Sequence, residues 1–460
     1  MAGGHRFGGL LWQRSFRLLW IGETISQLGN AMAVVGVPLV AVIVLHASTF
    51  VIGVLAAAAW LPWLIIGLPA GAWVDRLPAR RVMIACDVTS AVVYASVPAA
   101  AWAGVLTTGQ VIVAALLGGA ASVLFMTAYQ VYLPSLVKPD ELIEGNTKMQ
   151  GSASAALFAG PSLAGLVAQL LGAVTALLGN AVSFVVSAAC LIGTRPSTPG
   201  PAAAPRRAGL RREIADGLLL VLRDPFLRQL STFWAVANLA LTGYAALLVV
   251  FLVRVIGLTP GSVGLLTAIP GIGGILGAVL TGRITAWLGT ARGLLVSTLC
   301  AVPFGLLIPL TGPGLRLAFY VAGSLLAYTG IAVGNIIIAT FRQSYSPPGM
   351  CGRVTATMRF LIFGTSPIGA LLGGSLGTWL GVRDALWVLL GAVALSGTLL
   401  LTRALTSRRD LPRVIGEVRV PAPAPASPTD VTPGRPHGRL AHDGPAHEEL
   451  GIEAADKPIW

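Results

Sequence analysis

Apolar residues fill the chain in long runs broken by glycine, proline and small clusters of charge. Twelve runs are long enough to cross a bilayer, which takes roughly 20 mainly apolar residues per helix. They lie at 16–45, 50–74, 82–104, 109–132, 149–170, 173–194, 229–254, 260–285, 293–312, 315–341, 355–380 and 384–405. A backbone in hydrocarbon must satisfy its own hydrogen bonds, and runs this long exceed barrel strands, so the pattern predicts helices. The first run is also too long for a secretory signal core and is expected to stay in the membrane.

The longest internal break, 195–228, divides the chain into a six-helix half at 1–194 and another at 229–405. It opens as a Pro and Arg-rich linker, RPSTPGPAAAPRRAGLRR, and continues with Ile214, Leu218 and Leu222 at four-residue spacing. That spacing predicts a basic amphipathic helix on the membrane surface. Residues 406–460 contain PAPAPASP and little apolar periodicity, so this cytoplasmic tail is expected to stay disordered. Gly53 and Gly71 recur as Gly264 and Gly282, both 211 residues later, and Asn30 recurs as Asn238, 208 later. The halves therefore read as a parallel repeat, with a site expected at the midplane between them.

Composition supports lipid as the solvent: 55% of residues are hydrophobic and only 11% charged, against ~25% in a soluble domain. Mean hydropathy is +0.80. The net charge of +13 could suggest a nucleic-acid partner, but the basic residues lie between the apolar runs, and none is expected. With a cytoplasmic N-terminus, 28 of the 31 Lys and Arg fall on the inner side, leaving Arg254, Arg316 and Arg383 outside. The positive-inside rule then places both termini in the cytoplasm of a cell (plasma) membrane protein. Cys86, Cys190, Cys300 and Cys351 are scattered, and His437, His442 and His447 repeat in the tail either as solvated side chains or as metal ligands. No disulfide, metal site or cofactor is predicted.

Polar residues inside the runs are the candidates for function. Glu23, Gln27 and Asn30 share one face of the first helix, which should turn to the bundle interior. Glu23 lies ~10 Å below the helix middle at 1.5 Å per residue, deep enough for its carboxyl to act as a proton carrier. The alternative is an interfacial acid paired with Arg17. In the second half, Trp234, Asn238 and Thr242 share a face, as do Tyr328 and Asn335. They either line an aromatic, amide-rich cavity suited to a bulky amphipathic ligand or make ordinary helix-to-helix hydrogen bonds.

The loop after the second run reads Gly71-Ala72-Trp73-Val74-Asp75-Arg76-Leu77-Pro78-Ala79-Arg80-Arg81. It resembles the G-x-x-x-D-R-x-G-R-R motif of the major facilitator superfamily, with Pro78 at the second glycine and Gly71, Asp75, Arg76, Arg80 and Arg81 in register. In the second half Gly282 and Arg292 match, and Ala286 stands where the acid would be. Gly160-Pro161 and Gly165 in the fifth run resemble the glycine-proline motif of that family's efflux antiporters. YLPSLVKPDELIEGNTKMQ and GRVTATMRFLIFGTSPIGALLGG are similar to the macrolide and siderophore exporters with enterobactin-exporter-like sequences. The resemblance covers about residues 14 to 405.

The resemblance implies that Asp75 docks against the start of the eleventh helix, near Arg353 to Thr355, and latches the cytoplasmic side shut; a plain positive anchor would not need the acid. It implies a hinge and seal at Gly160-Pro161. Gly273, Gly274 and Gly277, after Pro270, offer that joint a small-residue face, while the simpler alternative is a bent helix. Asp87, six residues into the third run, is assigned to the latch network rather than to proton carriage.

The resulting reading is an all-α, twelve-helix secondary transporter, acting as a monomer, that exports a small amphipathic molecule in exchange for protons. No P-loop supports a primary pump. An importer or uniporter of the same fold is the alternative. A membrane enzyme fits poorly, because the outer loops carry only Arg254, Arg316, Arg383 and Asp384 as charged groups. Reporter fusions at residues 200 and 420 should both read cytoplasmic; an external reading at either position would overturn the topology.

Overall fold

The computed structural model describes residues 9–67, 69–74, 76–138, 141–195, 218–346 and 350–412. Among them twelve helices are long and apolar enough to span a membrane: α1 (Arg14–Val44), α2 (Thr49–Ile66), α3 (Ala79–Trp102), α4 (Thr108–Leu136), α5 (Glu144–Leu171), α6 (Ala173–Gly193), α7 (Pro225–Val255), α8 (Pro260–Leu288), α9 (Thr290–Leu310), α10 (Gly314–Tyr345), α11 (Val354–Trp379) and α12 (Val382–Leu400). An even number of crossings returns the chain to the side it started from, called here the proximal end.

The boundaries follow local chemistry. The second predicted run stops early at Ile66, and a separate short helix, Pro69–Val74, follows Gly67. α7 starts four residues before its predicted position because Asp224 caps it, its Oδ1 accepting from the amides of Phe226 (3.0 Å) and Leu227 (2.9 Å) ahead of a proline at the first helical position. Of the predicted amphipathic stripe, Ile214 lies outside the described residues; in the helical stretch 218–223 it is Val221 that is buried, while Leu222 is exposed. The tail beyond residue 412, with His437, His442 and His447, also lies outside the described residues.

α1 and α7 end alike, in π-helical turns at Val40–Val44 and Phe251–Val255. Each is followed by a residue in the left-handed region, His46 (φ 47°) and Gly257 (φ 79°), again 211 apart. The backbone bond from Ala47 N to Ala41 O (2.9 Å) is matched by that from Leu258 N to Leu252 O (3.0 Å). The repeat read from scattered glycines thus extends to backbone conformation.

Within the first half, α1 packs on α5 and α6, and α3 on α4 and α6; within the second, α7 packs on α11 and α12, and α10 on α8 and α9. Between halves the principal crossings are α5 with α8 and α2 with α11. Both are backbone on backbone. A Cβ added to Gly53 would lie 2.7 Å from the Cα of Gly374, and one added to Gly165 would lie 2.7 Å from the Cα of Gly264. Facing the other way, Gly160 of α5 abuts Ala31 of α1 and Gly369 of α11 abuts Leu239 of α7. Gly160 and Gly165 precede Gly369 and Gly374 by the same 209 residues, so α5 and α11 are equivalent: each is thinned on one side for its own half and on the other for the opposite half.

This corrects the expected partner of the fifth-helix motif. Gly273 and Gly277 pack on α10, against Leu325, Tyr328 and Thr329, and Gly274 faces open space; α5 is received by Gly264. Helical spacing defines a glycine face but not which neighbour lies on it.

All these crossings lie toward the distal end, away from the termini. There a single buried core joins both halves, Ile52, Val111 and Leu177 with Leu247, Val263 and Leu386. At the proximal end each half has its own core, one around Phe16, Met83 and Leu133 and the other around Leu227, Phe341 and Met358. Gly71 and Gly282 have open space where a Cβ would stand. The halves are closed together distally and separate proximally.

Gly165→Ala and Gly374→Ala should each destabilise the purified protein by about 1–3 kcal/mol, the scale of overpacking, because backbone cannot yield to the new methyl. Gly274→Ala, in open space, should cost nothing. Thermal unfolding in detergent measures the difference; equal effects at the three positions would refute the crossing geometry.

Candidate functional site

The distal closure ends near mid-height in an aromatic cluster. Phe363 of α11 stacks on Trp60 of α2 (centroids 5.6 Å) and tilts against Trp63 (5.4 Å), and all three are half-buried. The sequence reading passed over these rings because tryptophans in apolar runs are unremarkable until they meet across two halves.

On the first-half side, Glu23 is 7% exposed. Gln27, one turn on, donates its amide to Glu23 Oε1 at 2.7 Å, and Oε2 has no hydrogen-bond partner. No ion pair joins Glu23 to Arg17, which is exposed and donates to the Leu11 carbonyl at 3.4 Å. The interfacial-pair alternative is therefore not what the structure contains. Asn30, on the same face, is exposed.

Asp87 is 1% exposed, its Oδ2 has no hydrogen-bond partner, and Ser187 of α6 lies beside its carboxyl. It lies within electrostatic reach of Glu23, as does Tyr129 of α4. This placement departs from the latch assignment. Asp87 is about 10 Å along the helix from Arg80 at 1.5 Å per residue, and it faces α6 and α1 instead of the loop arginines. Arg76 and Arg81 are exposed, and Arg80 donates to the carbonyls of Leu191 (2.8 Å) and Ile192, capping the end of α6. Asp75 and the side chain of Arg353 lie outside the described residues.

A further buried polar group escaped the sequence reading. Asn180 of α6 is fully buried against Gly29 of α1, and neither amide atom has a partner. Its signal was available: an amide inside an apolar run is costly unless it serves something.

The second-half candidates separate. Asn238 is bound to a break in α11, where helix Cys351–Gly364 gives way at Thr365 to Ser366–Trp379. Its Nδ2 donates to the Ile362 carbonyl (2.8 Å) and lies within bonding distance of Ser366 Oγ (2.9 Å) and Thr365 Oγ1 (3.2 Å). Pro367 has no amide hydrogen for the carbonyl of Phe363 four residues before it, and at this break a side chain from α7 joins Thr365 in bonding the adjacent Ile362 carbonyl. Thr242 donates back to the Asn238 carbonyl at 2.7 Å. Both make helix bonds. Trp234 lines an apolar pocket inside the second half with Phe233, Leu241, Thr298, Val302 and Ile331. Tyr328 packs on Gly273 of α8, and Asn335 is exposed.

The twelve-helix plan agrees with what comparison with known proteins finds. The chain is 28% identical over 363 residues to the uncharacterized MFS-type transporter y4rN of Sinorhizobium fredii, covering 77% of this chain and 87% of that one. It is 27% identical over 386 residues to the multidrug efflux pump Tap of Mycolicibacterium fortuitum, covering 80% and 91%. A crystal structure of a point mutant of the nucleoside transporter NupG superposes with a TM-score of 0.69 at 12% identity, over 84% of this chain and 98% of that one. Residues 19–365 match the family described as Major Facilitator Superfamily, and the chain belongs to that superfamily.

Proposed function

We propose that this multi-pass membrane transporter exports a small amphipathic compound in exchange for protons, by alternating access. The observation that carries the reading is Glu23: a carboxyl almost wholly buried in a membrane helix, with one oxygen unpartnered and no ion pair to a cation among the described residues. A carboxylate left in that state is costly, whereas one that gains and loses a proton as access alternates has a use. Export is favoured by the relative named a multidrug efflux pump and by the glycine-proline joint at Gly160, Pro161 and Gly165, which lies at the crossing of the halves. The NupG likeness is one of fold and leaves direction to experiment.

The half-exposed rings of Trp60, Trp63 and Phe363 offer apolar, planar contact for the compound, and the amides of Gln27 and Asn30 offer polar contact on the facing side. With cytoplasmic termini, the conformation described is inward-open. Asp75, with Gly71 and Arg76, then closes the proximal end in the opposite state. Arg80, committed to the end of α6, braces that loop, and Arg81 is left exposed beside it.

Glu23→Gln keeps the hydrogen-bonding shape and removes the titration. In inverted vesicles with an imposed pH gradient, gradient-driven uptake of a panel of fluorescent amphiphiles should be abolished while downhill exchange persists. Undiminished gradient-driven uptake would exclude Glu23 as the obligatory carrier. Asp75→Asn should leave the protein folded and inserted yet impair export, by shifting the population toward inward-open states; normal export by that variant would remove the latch.

A further inference from the structure

Alternating access requires the distal end to part. The glycine crossings there are apolar and symmetric, Gly53 with Gly374 and Gly165 with Gly264, and two polar ties accompany them. Gln169, near the end of α5, accepts through Oε1 from the amide of Gly261 (3.0 Å) and from the Thr259 hydroxyl (3.4 Å) at the start of α8. Arg254, in the terminal π-turn of α7, reaches across to the first half and donates through Nη2 to the carbonyls of Ala47 (2.7 Å) and Val42 (3.3 Å).

Val42 lies in the terminal π-turn of α1 and Ala47 in the connection to α2, just past the chain reversal through His46 at φ 47°. Carbonyls at a helix end need an outside donor, and they carry the negative end of the helix dipole, so a guanidinium suits them. The matching turn in the second half has the same backbone, with Gly257 at φ 79° in place of His46. By the 211-residue repeat, however, the counterpart of Arg254 is Ile43. Two turns of one conformation face each other and only one carries the cation.

We propose that Arg254 is a distal latch, a positioning residue for transport that holds the end of α1 to α7 while the distal end is shut and releases the Val42 and Ala47 carbonyls when it opens. Arg254 is exposed, so both sides of the tie can be hydrated after release, and the contact biases the equilibrium without locking it. Because α1 also carries Glu23, the latch links closure of the distal end to the helix that bears the buried acid. The inference rests on the alternating-access reading but not on any substrate or coupling ion.

Hydrogen–deuterium exchange of the full-length protein in detergent tests it. In Arg254→Ala, exchange at residues 40–49 and 253–262 should rise roughly three- to tenfold relative to segments of α3 and α9, the scale of one partly exposed hydrogen bond. Arg254→Lys, which keeps the charge but loses the forked donors, should lie between. Unchanged exchange at both turns overturns the latch. So does a uniform rise over all helices, which would make Arg254 a general stabiliser; if the alanine variant cannot be purified, the lysine variant is judged by the same comparison. Gly165→Leu, which wedges the α5–α8 crossing, separates the two readings. If it raises exchange at these turns and the Arg254 variants do not, only the latch fails; if neither does, the distal end does not open and alternating access fails with it.

Discussion

Hydrocarbon cannot hydrogen-bond a peptide carbonyl, and that constraint organises most of the polar chemistry in this protein. At several helix ends and at one helix break, a side-chain donor comes to a backbone carbonyl. Arg80 serves Leu191 and Ile192 at the end of α6, Arg254 serves Val42 and Ala47 after α1, and Arg383 serves Thr311 after α9. Asn238 serves Ile362 at the break in α11, and Gln229 serves Leu399 near the end of α12. Carboxylates have no place in this scheme, because an ionised acid only accepts. Glu23 and Asp87, deep in the first half, cannot be explained as backbone repair, and of the two it is Glu23 that carries the functional reading.

The repeat is faithful in backbone and in small residues and unfaithful in charge. Gly160 and Gly165 on α5 match Gly369 and Gly374 on α11, and the π-turns closing α1 and α7 match down to their left-handed residues. Rocking two halves about a shared joint needs equivalent geometry on both sides, so symmetry is kept where backbones touch. Charge breaks it. Among the described residues the acids buried within a membrane span, Glu23 and Asp87, lie on first-half helices, whereas the buried Asp224 of the second half caps the start of α7, and the cation at the distal turns lies on α7. An exactly symmetric pair of halves would have no preferred driver; on the proposed proton exchange, the carboxyls buried inside one half and the tie in the other would make the motion responsive to protonation from one side.

How much of this was legible in the sequence follows from what a linear pattern encodes. Twelve apolar runs, their near-boundaries and the six-plus-six division could be read because lipid imposes a length and a composition on each span. Gly53 and Gly264 were visible as a repeat, though not as the inter-half contacts. Their meaning depends on which neighbour each helix faces, and azimuth is set by packing. The same gap left two readings of Asn238 open, and its amide is taken up by α11, the helix-to-helix alternative. Asp87 was grouped with the loop arginines by nearness in sequence; seven residues of helix, about 10 Å, separate it from Arg80 and bring it to the level of Glu23.

Closure through glycine has an energetic consequence for a machine that must reverse it. Where side chains interdigitate, opening forces rotamers to change and exposes new apolar area, and each such contact adds to the barrier. At Gly53–Gly374 and Gly165–Gly264 the surfaces are bare backbone, meeting through Cα atoms and carbonyl oxygens, so they can separate without any rotamer rearrangement. Contacts of that kind are individually weak, and most of the apolar stabilisation of the shut state comes from the distal core that joins Ile52 and Leu177 with Leu247 and Leu386. Directional polar ties such as Arg254 and Gln169 can then tip the balance by a small amount while leaving the surfaces free to part. A transporter whose two end states must lie within a few kcal/mol of each other is better served by thin seams and a few movable hydrogen bonds than by a large packed interface.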